Sequence, residues 1–390
     1  MNLGILTHAY PRYDGDVAGA FLERLVLGLA ARGHGVHVIA PADTGRGGEE
    51  RLHHVPITRV RYAPAGAETL AYRGTGVAAT RSITGFIWGT SLIVRQAVTT
   101  RRLRAAQGLD LVHAHWWVPG GLSAWLAVRP YVLTLHGMDV VLMERSAAAR
   151  AVARRVIRSA AVVTAVSSDL AERAARAVGL DPGHIVVQPM PAETKRFTRT
   201  SRGGEGIVTV GRLTPRKRIE LLLEALVHLR ERGLTPQLTI VGDGAERQRL
   251  EGITAKLGLG AQVRFAGEVS PQRIPEAIGD ADVFAFPALG EGFGLVAAEA
   301  LMCGVPVVAV HDGGGVRDIV PSGGAGRMVA PDSHEIAAAI AELLSNPDAR
   351  RMAAEAGAAL RRRLEPDAVA ARFEALYQQV LWAQARDARA

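Results

Sequence analysis

The chain has 390 residues, a length typical of two or three domains, and its 48% apolar and 22% charged residues exclude a disordered or fibrous protein. Its one cysteine, Cys303, excludes disulfides within the chain and favours the cytoplasm. The net charge of +8 is unevenly spread: residues 1–200 carry 24 basic and 14 acidic side chains, whereas residues 201–390 carry 22 and 24.

The amino terminus predicts no signal peptide, because residues 1–6 lack a basic stretch and continue into a strand-like segment. The uncharged, apolar-rich run 82–94 of the basic half is shorter than the roughly 20 residues of a membrane-spanning helix. We therefore expect a soluble cytoplasmic protein or one that is peripheral at the inner face of the membrane.

The first half alternates short β-branched runs with amphipathic ones. Strands are predicted over 2–9, 35–40, 109–115, 131–136, 161–166 and 184–188. Helices are predicted over 21–32, 147–159 and 168–178. This alternation predicts βαβ units and a parallel sheet.

The second half repeats the pattern after a linker rich in proline, glycine and polar residues at 189–206. Strands are predicted over 207–210, 237–241, 262–266, 282–286 and 306–310, and helices over 216–232, 245–257, 295–302 and 334–344. The tail, 366–390, reads as one more amphipathic helix. The fold class is therefore α/β, with two doubly wound domains whose ligand site lies in the cleft beyond the carboxyl ends of the strands.

The most informative segment is 287–300, which follows a strand and opens a helix. Gly292 and Gly294 remove side chains, so that backbone N–H groups and the helix N-terminus are open to a phosphate. Glu291 and Glu299 lie on either side and are suited to hold two separate polyols. The alternative is a plain turn followed by a solvated helical glutamate, which the whole string disfavours.

A second segment, 210–218, also joins a strand to a helix. Thr214 and Pro215 are typical of a helix start, so the basic residues 216–218 fall in the first turn, where cations oppose the helix dipole. A bound diphosphate held by Arg212 and Lys217 would reverse that effect. We expect the other two basic side chains to point to water: Arg216 and Arg218.

Three weaker signals remain. His136 ends a strand with Asp139 three residues later, an arrangement suited either to a substrate contact or to a structural histidine. His113 and His115 share one strand, and packing or acceptor contacts are favoured over a metal pair, because no third ligand lies nearby. The turn around Asp243 is explained equally by geometry and by a ligand.

These segments resemble the retaining, two-domain GT-B glycosyltransferases of family 4. The string from Glu291 to Glu299 is similar to the E-x7-E motif of that family and is continued by 304–309, while 210–217 resembles its basic donor-phosphate motif. Further similar segments follow in the expected order at 240–244, 263–269, 281–284 and 323–331. The resemblance covers nearly the whole chain and is strongest from residue 207 to residue 344.

The resemblance implies a metal-independent hexosyltransferase that uses a UDP- or GDP-linked sugar and retains the anomeric configuration. It implies four catalytic residues: His136, Arg212, Lys217 and Glu291. It implies donor contacts from Gly19, Gly211, Arg212, Lys217, Gly242, Gly267, Glu268, Glu291, Gly292, Phe293, Gly294, Leu295, Val296 and Glu299. Two residues remain as acceptor-side candidates: His115 and Asp139.

The resemblance also implies a domain organisation. Residues 1–190 form an acceptor-binding domain, residues 207–365 form a nucleotide-sugar-binding domain, and the helix 366–390 packs back onto the first domain. Two departures from the family pattern affect loop geometry: Ala20 stands where the family often has the second glycine of a pair, and the interdomain segment reads Met190-Pro191-Ala192-Glu193. Neither lies in the donor motif.

Other functions are kept as alternatives. A nucleotide-sugar epimerase or hydrolase shares the fold and differs in needing no acceptor. A nucleic-acid-binding protein fits the basic first half, but aromatic residues make up only 5% and no base-stacking array is visible. The acceptor is expected to be a small molecule or a lipid-linked glycan. The region around 85–104, with Arg81, Arg95, Arg101, Arg102 and Arg104, is either an ordinary helix with a basic face or a surface for an anionic membrane.

Overall fold

A computed structural model describes residues 1–72, 82–198, 204, 206–321 and 323–387. Arg81, residues 199–203 and 205 of the predicted linker, and the last three residues of the predicted tail helix lie outside the described residues. The chain divides into two compact units: Met1–Pro191 together with Pro366–Ala390, and Ala192–Glu365. We call them the N-terminal unit and the C-terminal unit.

The N-terminal unit is built on one largely parallel sheet. Within the described ranges its strands are β1 (Asn2–Leu6), β2 (Gly35–Pro41), β3 (Gly48–Leu52), β4 (Val55–Val60), β5 (Leu111–His115), β6 (Tyr131–Leu135), β7 (Val162–Ala165) and β8 (Ile185–Val187). Their order is β3-β4-β2-β1-β5-β6-β7-β8, and only the pairing of β3 with β4 is antiparallel. Among the described residues, the helices that precede residue 191 are α1 (Ala20–Ala31), α2 (Ile83–Gln107), α3 (Leu122–Ala127), α4 (Met138–Arg145), α5 (Ala147–Ser159) and α6 (Ser168–Val178).

The C-terminal unit has a second, entirely parallel sheet. Its described strands are β9 (Ile207–Val210), β10 (Leu238–Val241), β11 (Val263–Gly267), β12 (Val283–Phe286), β13 (Val307–Val310) and β14 (Gly326–Val329), in the order β11-β10-β9-β12-β13-β14. Its helices are α7 (Ile219–Glu231), α8 (Arg247–Lys256), α9 (Ile274–Gly279), α10 (Leu295–Met302), α11 (Ser333–Ser345) and α12 (Ala349–Leu364). Leu222, Leu226 and Ile340 belong to its buried core, which explains why α7 and α11 pack together against the sheet.

The last helix, α13 (Pro366–Asp387), returns to the N-terminal unit and packs on α1. Gly28 allows close packing, because a Cβ there would lie 2.9 Å from the carbonyl oxygen of Pro366. Arg32 forms ion pairs with Asp367 at 2.9 Å and with Glu374 at 2.7 Å. The predicted fold class and the predicted return of the tail helix are therefore confirmed.

Two details differ from the sequence prediction. The helix predicted to begin at residue 216 begins at Ile219, after a 3-10 turn over Pro215–Lys217, because Arg218 takes a left-handed backbone with φ of 47°. The β3–β4 hairpin was not predicted, whereas α2 contains the region 85–104 that the sequence offered as an ordinary helix. The hairpin has a charged first strand, so it lacks the usual alternation of apolar and polar residues.

Candidate active site

Loops that follow neighbouring parallel strands of the C-terminal unit bring three predicted donor-site glycines together. Gly211 follows β9, and its N–H donates to the carbonyl of Val241 at 2.9 Å. Gly242 follows β10, and its N–H donates to the carbonyl of Gly267 at 2.8 Å. The backbones of these glycines therefore lie side by side at the carboxyl edge of the sheet, where open α/β sheets bind ligands.

The glycines are required by close packing. Gly242 has a φ of 125°, and a Cβ there would collide with the carbonyl oxygen of Gly211. A Cβ on Gly211 would lie 3.2 Å from Cε of Lys217, so the missing side chain gives the lysine room to cross the loop. A larger residue at position 242 would therefore collide with the backbone of Gly211, and one at position 211 would displace Lys217.

Lys217 and Glu291 form an ion pair at this edge. Nζ of Lys217 lies 2.9 Å from Oε1 of Glu291 and 4.9 Å from the ring centre of Phe286. The Lys217 side chain is 19% exposed and that of Glu291 is 26% exposed, so both reach solvent. This charge pair, next to Gly211, therefore joins the two segments that the sequence singled out separately.

The loop that carries Glu291 is held by the loop that follows β13. The N–H of Gly290 donates to the carbonyl of Asp312, and the N–H of Glu291 donates to the carbonyl of Gly313, both at 2.9 Å. The N–H of Gly315 donates back to the carbonyl of Glu291 at 2.8 Å. These bonds fix the backbone of Glu291 while leaving its side chain directed to Lys217.

Arg216 and Arg218 do not point to water, and the prediction that they do is wrong. Arg216 donates to the carbonyls of Leu289 and Gly290, at 3.1 and 2.6 Å. Arg218 forms an ion pair with Asp312 at 2.8 Å. Arg216 therefore braces the Glu291 loop directly, and Arg218 braces the loop after β13 that holds it. These contacts explain why three consecutive basic residues are tolerated ahead of α7.

The remaining donor candidates of this unit line the same loops. Gly294 takes a left-handed backbone with φ of 86° immediately before α10, and Glu299 is half-buried on that helix. Arg212 and Glu268 are exposed after β9 and β11. Four other candidates occupy the turn into α10 and its first residues, buried or half-buried: Gly292, Phe293, Leu295 and Val296.

In the N-terminal unit, aromatic side chains gather beyond the carboxyl ends of β1, β5 and β6. The Trp116 ring stacks on His136 with centres 4.2 Å apart and meets the edge of His8 at 3.9 Å. Nδ1 of His115 lies 3.0 Å from Nε2 of His136. Phe21, on α1, lies 5.3 Å from the His136 ring. His136 is thus held on several sides and remains partly exposed.

A second histidine ties this cluster to α13. His113 is buried, with Nδ1 2.7 Å from the hydroxyl of Tyr377 and Nε2 2.7 Å from Oγ1 of Thr134. Thr134 in turn lies 2.6 Å from Oγ1 of Thr164. The chain of hydrogen bonds crosses β5, β6 and β7 and includes the returning helix, so His113 has the packing role that the sequence left open.

Burial lowers the pKa of each histidine in this cluster. The pKa of His8 falls to about 4 and that of His113 to about 3, because desolvation penalises the imidazolium. Burial also lowers the pKa of His115 and His136 well below the ordinary value. All four rings are therefore neutral at pH 7.

Neither acceptor-side candidate is placed to contact an acceptor, because both side chains are buried. His115 is 0% exposed. Asp139 accepts hydrogen bonds at Oδ1 from the N–H groups of His136, Gly137 and Val140, at 2.8 to 3.2 Å. Burial raises the pKa of Asp139, while these backbone donors act in the opposite direction. The carboxylate therefore shapes the turn after β6 and orients the backbone of His136.

Gly19 lies where the loop after β1 enters α1. Its φ is 77°, and a Cβ there would lie 2.6 Å from the carbonyl oxygen of Ala9. Glycine is needed at position 19 for this close approach, whereas Ala20, the departure from the family pair, is an ordinary first helical residue.

Sequence reasoning missed several residues that build these two sites. They are Phe286 and Asp312 in the C-terminal unit, and His8, Trp116 and Tyr377 in the N-terminal unit. The signal that singled out His136, a histidine just beyond a strand, applies equally to His8. The glycine run 313–315 after β13 also marks a loop with close backbone contacts.

Comparison with known proteins gives the class. Residues 192–360 match the family Glycosyl transferases group 1, and residues 18–191 match the Glycosyl transferase 4-like domain. The chain is 31% identical over 291 residues to a GDP-mannose-dependent alpha-(1-6)-phosphatidylinositol monomannoside mannosyltransferase of Mycolicibacterium smegmatis. The aligned region covers 68% of this chain and 75% of that protein. It is 32% identical over 271 residues to D-inositol 3-phosphate glycosyltransferase 2 of Catenulispora acidiphila, covering 61% of this chain and 63% of that protein.

Solved structures share the fold. Sucrose-phosphate synthase from Thermosynechococcus elongatus aligns with a TM-score of 0.76 and 24% identity over 98% of this chain and all of that one. Anabaena HepE in complex with UDP aligns with a TM-score of 0.72 and 21% identity over 97% of this chain and all of that one.

The two-unit α/β architecture and these matches define a GT-B glycosyltransferase. The chain belongs to the Glycosyl transferases group 1 family, which is family 4, a family of retaining enzymes that take the sugar from a nucleotide-sugar donor. Among the described helices, none is both long and apolar enough to cross a membrane.

Proposed function

We propose that this glycosyltransferase moves a sugar from a UDP- or GDP-linked donor to an acceptor hydroxyl, with retention and without a metal ion. The observation that carries the proposal is the Lys217–Glu291 pair beside Gly211, at the carboxyl edge of the C-terminal sheet. A cation and a carboxylate set beside an open glycine backbone suit a ligand that has a diphosphate next to sugar hydroxyls.

In this proposal Lys217 and Arg212 hold the diphosphate and stabilise the negative charge that develops on it as the sugar leaves. Glu291 accepts hydrogen bonds from the sugar hydroxyls, and Glu299 accepts them from the ribose. The bond between the anomeric carbon and the phosphate oxygen breaks while the acceptor oxygen bonds the same face of that carbon. The departing phosphate takes the acceptor proton, so no carboxylate nucleophile is needed.

In the N-terminal unit we propose that His136 contacts the donor sugar near the reacting centre. Its ring is neutral and partly exposed, and the stacked Trp116 and the Phe21 ring fix its orientation. Gly19 supports the same role through the tight loop at the start of α1. Asp139 acts indirectly, by holding the backbone of His136.

We propose that the acceptor is anionic. The names of two relatives specify acceptors that contain inositol phosphate, either free or within a phosphatidylinositol lipid. The excess positive charge of this chain lies in residues 1–200, whereas the donor needs only the local cations near residue 217. An anionic acceptor explains why the excess lies in the N-terminal unit.

We further propose that α2 docks on an anionic membrane. Its exposed apolar residues recur at helical spacing and so form one stripe: Ile83, Phe86, Ile87, Val94 and Val98. Arg95 and Arg102 are exposed on the flank of that stripe. An apolar stripe with basic flanks matches the interface of a bilayer that carries negative headgroups.

A donor panel tests the reaction. The full chain is incubated with UDP-glucose, UDP-galactose, UDP-N-acetylglucosamine and GDP-mannose, with D-inositol 3-phosphate or phosphatidylinositol vesicles as acceptor, and products are identified by mass spectrometry. We expect transfer from one nucleotide class, with the α-linkage of the donor kept in the product. Release or conversion of the sugar without any acceptor would support the hydrolase or epimerase alternative instead.

Vesicle flotation tests the membrane surface. We expect binding to phosphatidylinositol-containing vesicles at low salt, weaker binding to neutral vesicles, and at least tenfold weaker binding for Phe86→Ser/Ile87→Ser. Trp382→Ser is a matched control, because Trp382 on α13 is 67% exposed and Phe86 is 66% exposed. Equal flotation of wild type and the double variant, or loss with the control, contradicts docking through α2.

A further inference from the structure

His115 and His136 lie on neighbouring strands and share one hydrogen bond. His115 is the last residue of β5 and pairs in register with Thr134 of β6, two residues before His136. Nδ1 of His115 and Nε2 of His136 are 3.0 Å apart, and the ring planes are inclined by 38°. Since burial keeps both rings neutral, a single proton lies between these nitrogens.

The surroundings of His115 decide which ring holds that proton. If His115 accepted at Nδ1, its own proton would be on Nε2, which is buried and faces no hydrogen-bond partner among the described residues. If His115 donates from Nδ1, only a lone pair at Nε2 is left without a partner. A buried N–H without an acceptor is the rarer and more costly arrangement, so donation by His115 is favoured.

We propose that His115 is a positioning residue that fixes His136 in the Nδ1–H tautomer and thereby makes it a hydrogen-bond donor. The hydrogen bond at one imidazole nitrogen determines the proton on the other. Because Nε2 of His136 accepts from His115, Nδ1 carries the proton and is the nitrogen left for a substrate. This inference rests on the proposed function in one respect, that His136 contacts the donor sugar.

A donor at this position suits the oxygen of a sugar hydroxyl or of the breaking glycosidic bond. The stacked Trp116 ring, 4.2 Å away, prevents the imidazole from turning over and exchanging its two nitrogens. His115 itself does not touch the substrate, which agrees with its complete burial. The residue therefore acts through His136 alone.

The tautomer is measured directly on the full chain labelled with 15N-histidine. Long-range 1H–15N correlation spectra at pH 7.5 distinguish Nδ1–H from Nε2–H rings, and the His136 signals are assigned by their loss in His136→Gln. We expect the Nδ1–H pattern for both His115 and His136 in the wild-type enzyme. An Nε2–H pattern at His136 overturns the proposal.

Two substitutions test the consequence for turnover. His115→Leu removes the donor, and we expect kcat to fall roughly 10- to 100-fold, by analogy with the loss of a partner that orients a metal-bound imidazole, with donor KM changed less than about threefold. His115→Asn returns an N–H near the position of Nδ1 and should recover most of the loss together with the Nδ1–H signal of His136. His37→Leu is the control, because His37 is also buried and hydrogen-bonded, to Thr58, on another strand of the sheet.

Unchanged kcat in His115→Leu, or no recovery in a folded His115→Asn, overturns the positioning role. The tautomer assignment and the proposed function are refuted by different results. A wild-type enzyme that shows Nδ1–H at His136 but transfers no sugar from any donor contradicts the proposed function while supporting the inference about His115.

Discussion

Replacing Lys217 by alanine tests the candidate donor site most directly. The substitution removes the cation that lies 2.9 Å from Glu291 and leaves that carboxylate without its ion-pair partner. It leaves in place the backbone bonds that hold the Glu291 loop, and also the Arg218–Asp312 pair. The variant should therefore fold with the loop in position.

The expected losses in stability and activity differ widely. At 2.9 Å and an effective dielectric constant of 20, the direct attraction is about 6 kcal/mol, but desolvation and side-chain entropy offset most of it, leaving on the order of 1 kcal/mol. A loss of that size lowers Tm by roughly 2–4 °C for a unit of this size. A donor that stabilises a developing oxyanion contributes about 2.7–4 kcal/mol to the transition state, so kcat should fall roughly 100- to 1,000-fold.

The assay is transfer from the preferred nucleotide sugar, with Tm measured on the same preparation. Arg173→Ala is the matched control, because the Arg173 side chain is 20% exposed and its ion pair with Glu144 spans 2.7 Å in the other unit. The control should lose a similar amount of stability and keep kcat within about twofold. If Lys217→Ala turns over within threefold of wild type, or if both variants lose activity equally, the assignment of Lys217 is refuted.

Three further predictions concern the donor loops and the histidines. Gly242→Ala should lower Tm by more than about 5 °C and weaken donor binding, because its Cβ collides with the Gly211 carbonyl, and thermal unfolding with UDP and GDP titrations measures both effects. Glu299→Gln should raise the donor KM roughly 10-fold or more with little change in kcat, since a hydrogen bond to a charged group contributes about 1.5–3 kcal/mol; an equal fall in kcat would contradict a ribose contact. The neutral buried histidines should make the fold acid-sensitive. Histidines of the unfolded chain take up protons below about pH 6.5, whereas the buried His8 of the folded chain does so only near pH 4. The stabilising contribution of His8 is therefore complete above pH 6.5 and is lost as the pH falls towards 4, by up to about 1.4 kcal/mol per pH unit for each such ring. Urea unfolding from pH 7 to 4.5 should show a shallower loss in His8→Phe than in wild type, and equal slopes would contradict the burial of His8.

The sequence by itself determined the layered fold and most of the donor loops. The strand Ile207–Val210 and the helices Ala147–Ser159, Ser168–Val178 and Leu295–Met302 have the predicted bounds, because short β-branched runs and amphipathic periods are local signals. The spacing of Glu291 and Glu299 likewise depends only on a turn and the helix that follows it.

The tertiary structure decided which side chains meet. Arg216 and Arg218 look like solvated cations in the sequence, yet they brace two loops more than 70 residues away. The reason is that β12 lies beside β9 in the sheet and β13 lies beside β12. His113 meets Tyr377 only because α13 returns to the N-terminal unit. His115 and Asp139, the acceptor candidates of the sequence, are buried and form hydrogen bonds with His136 instead. Their burial results from the packing of distant segments, which a linear pattern does not encode.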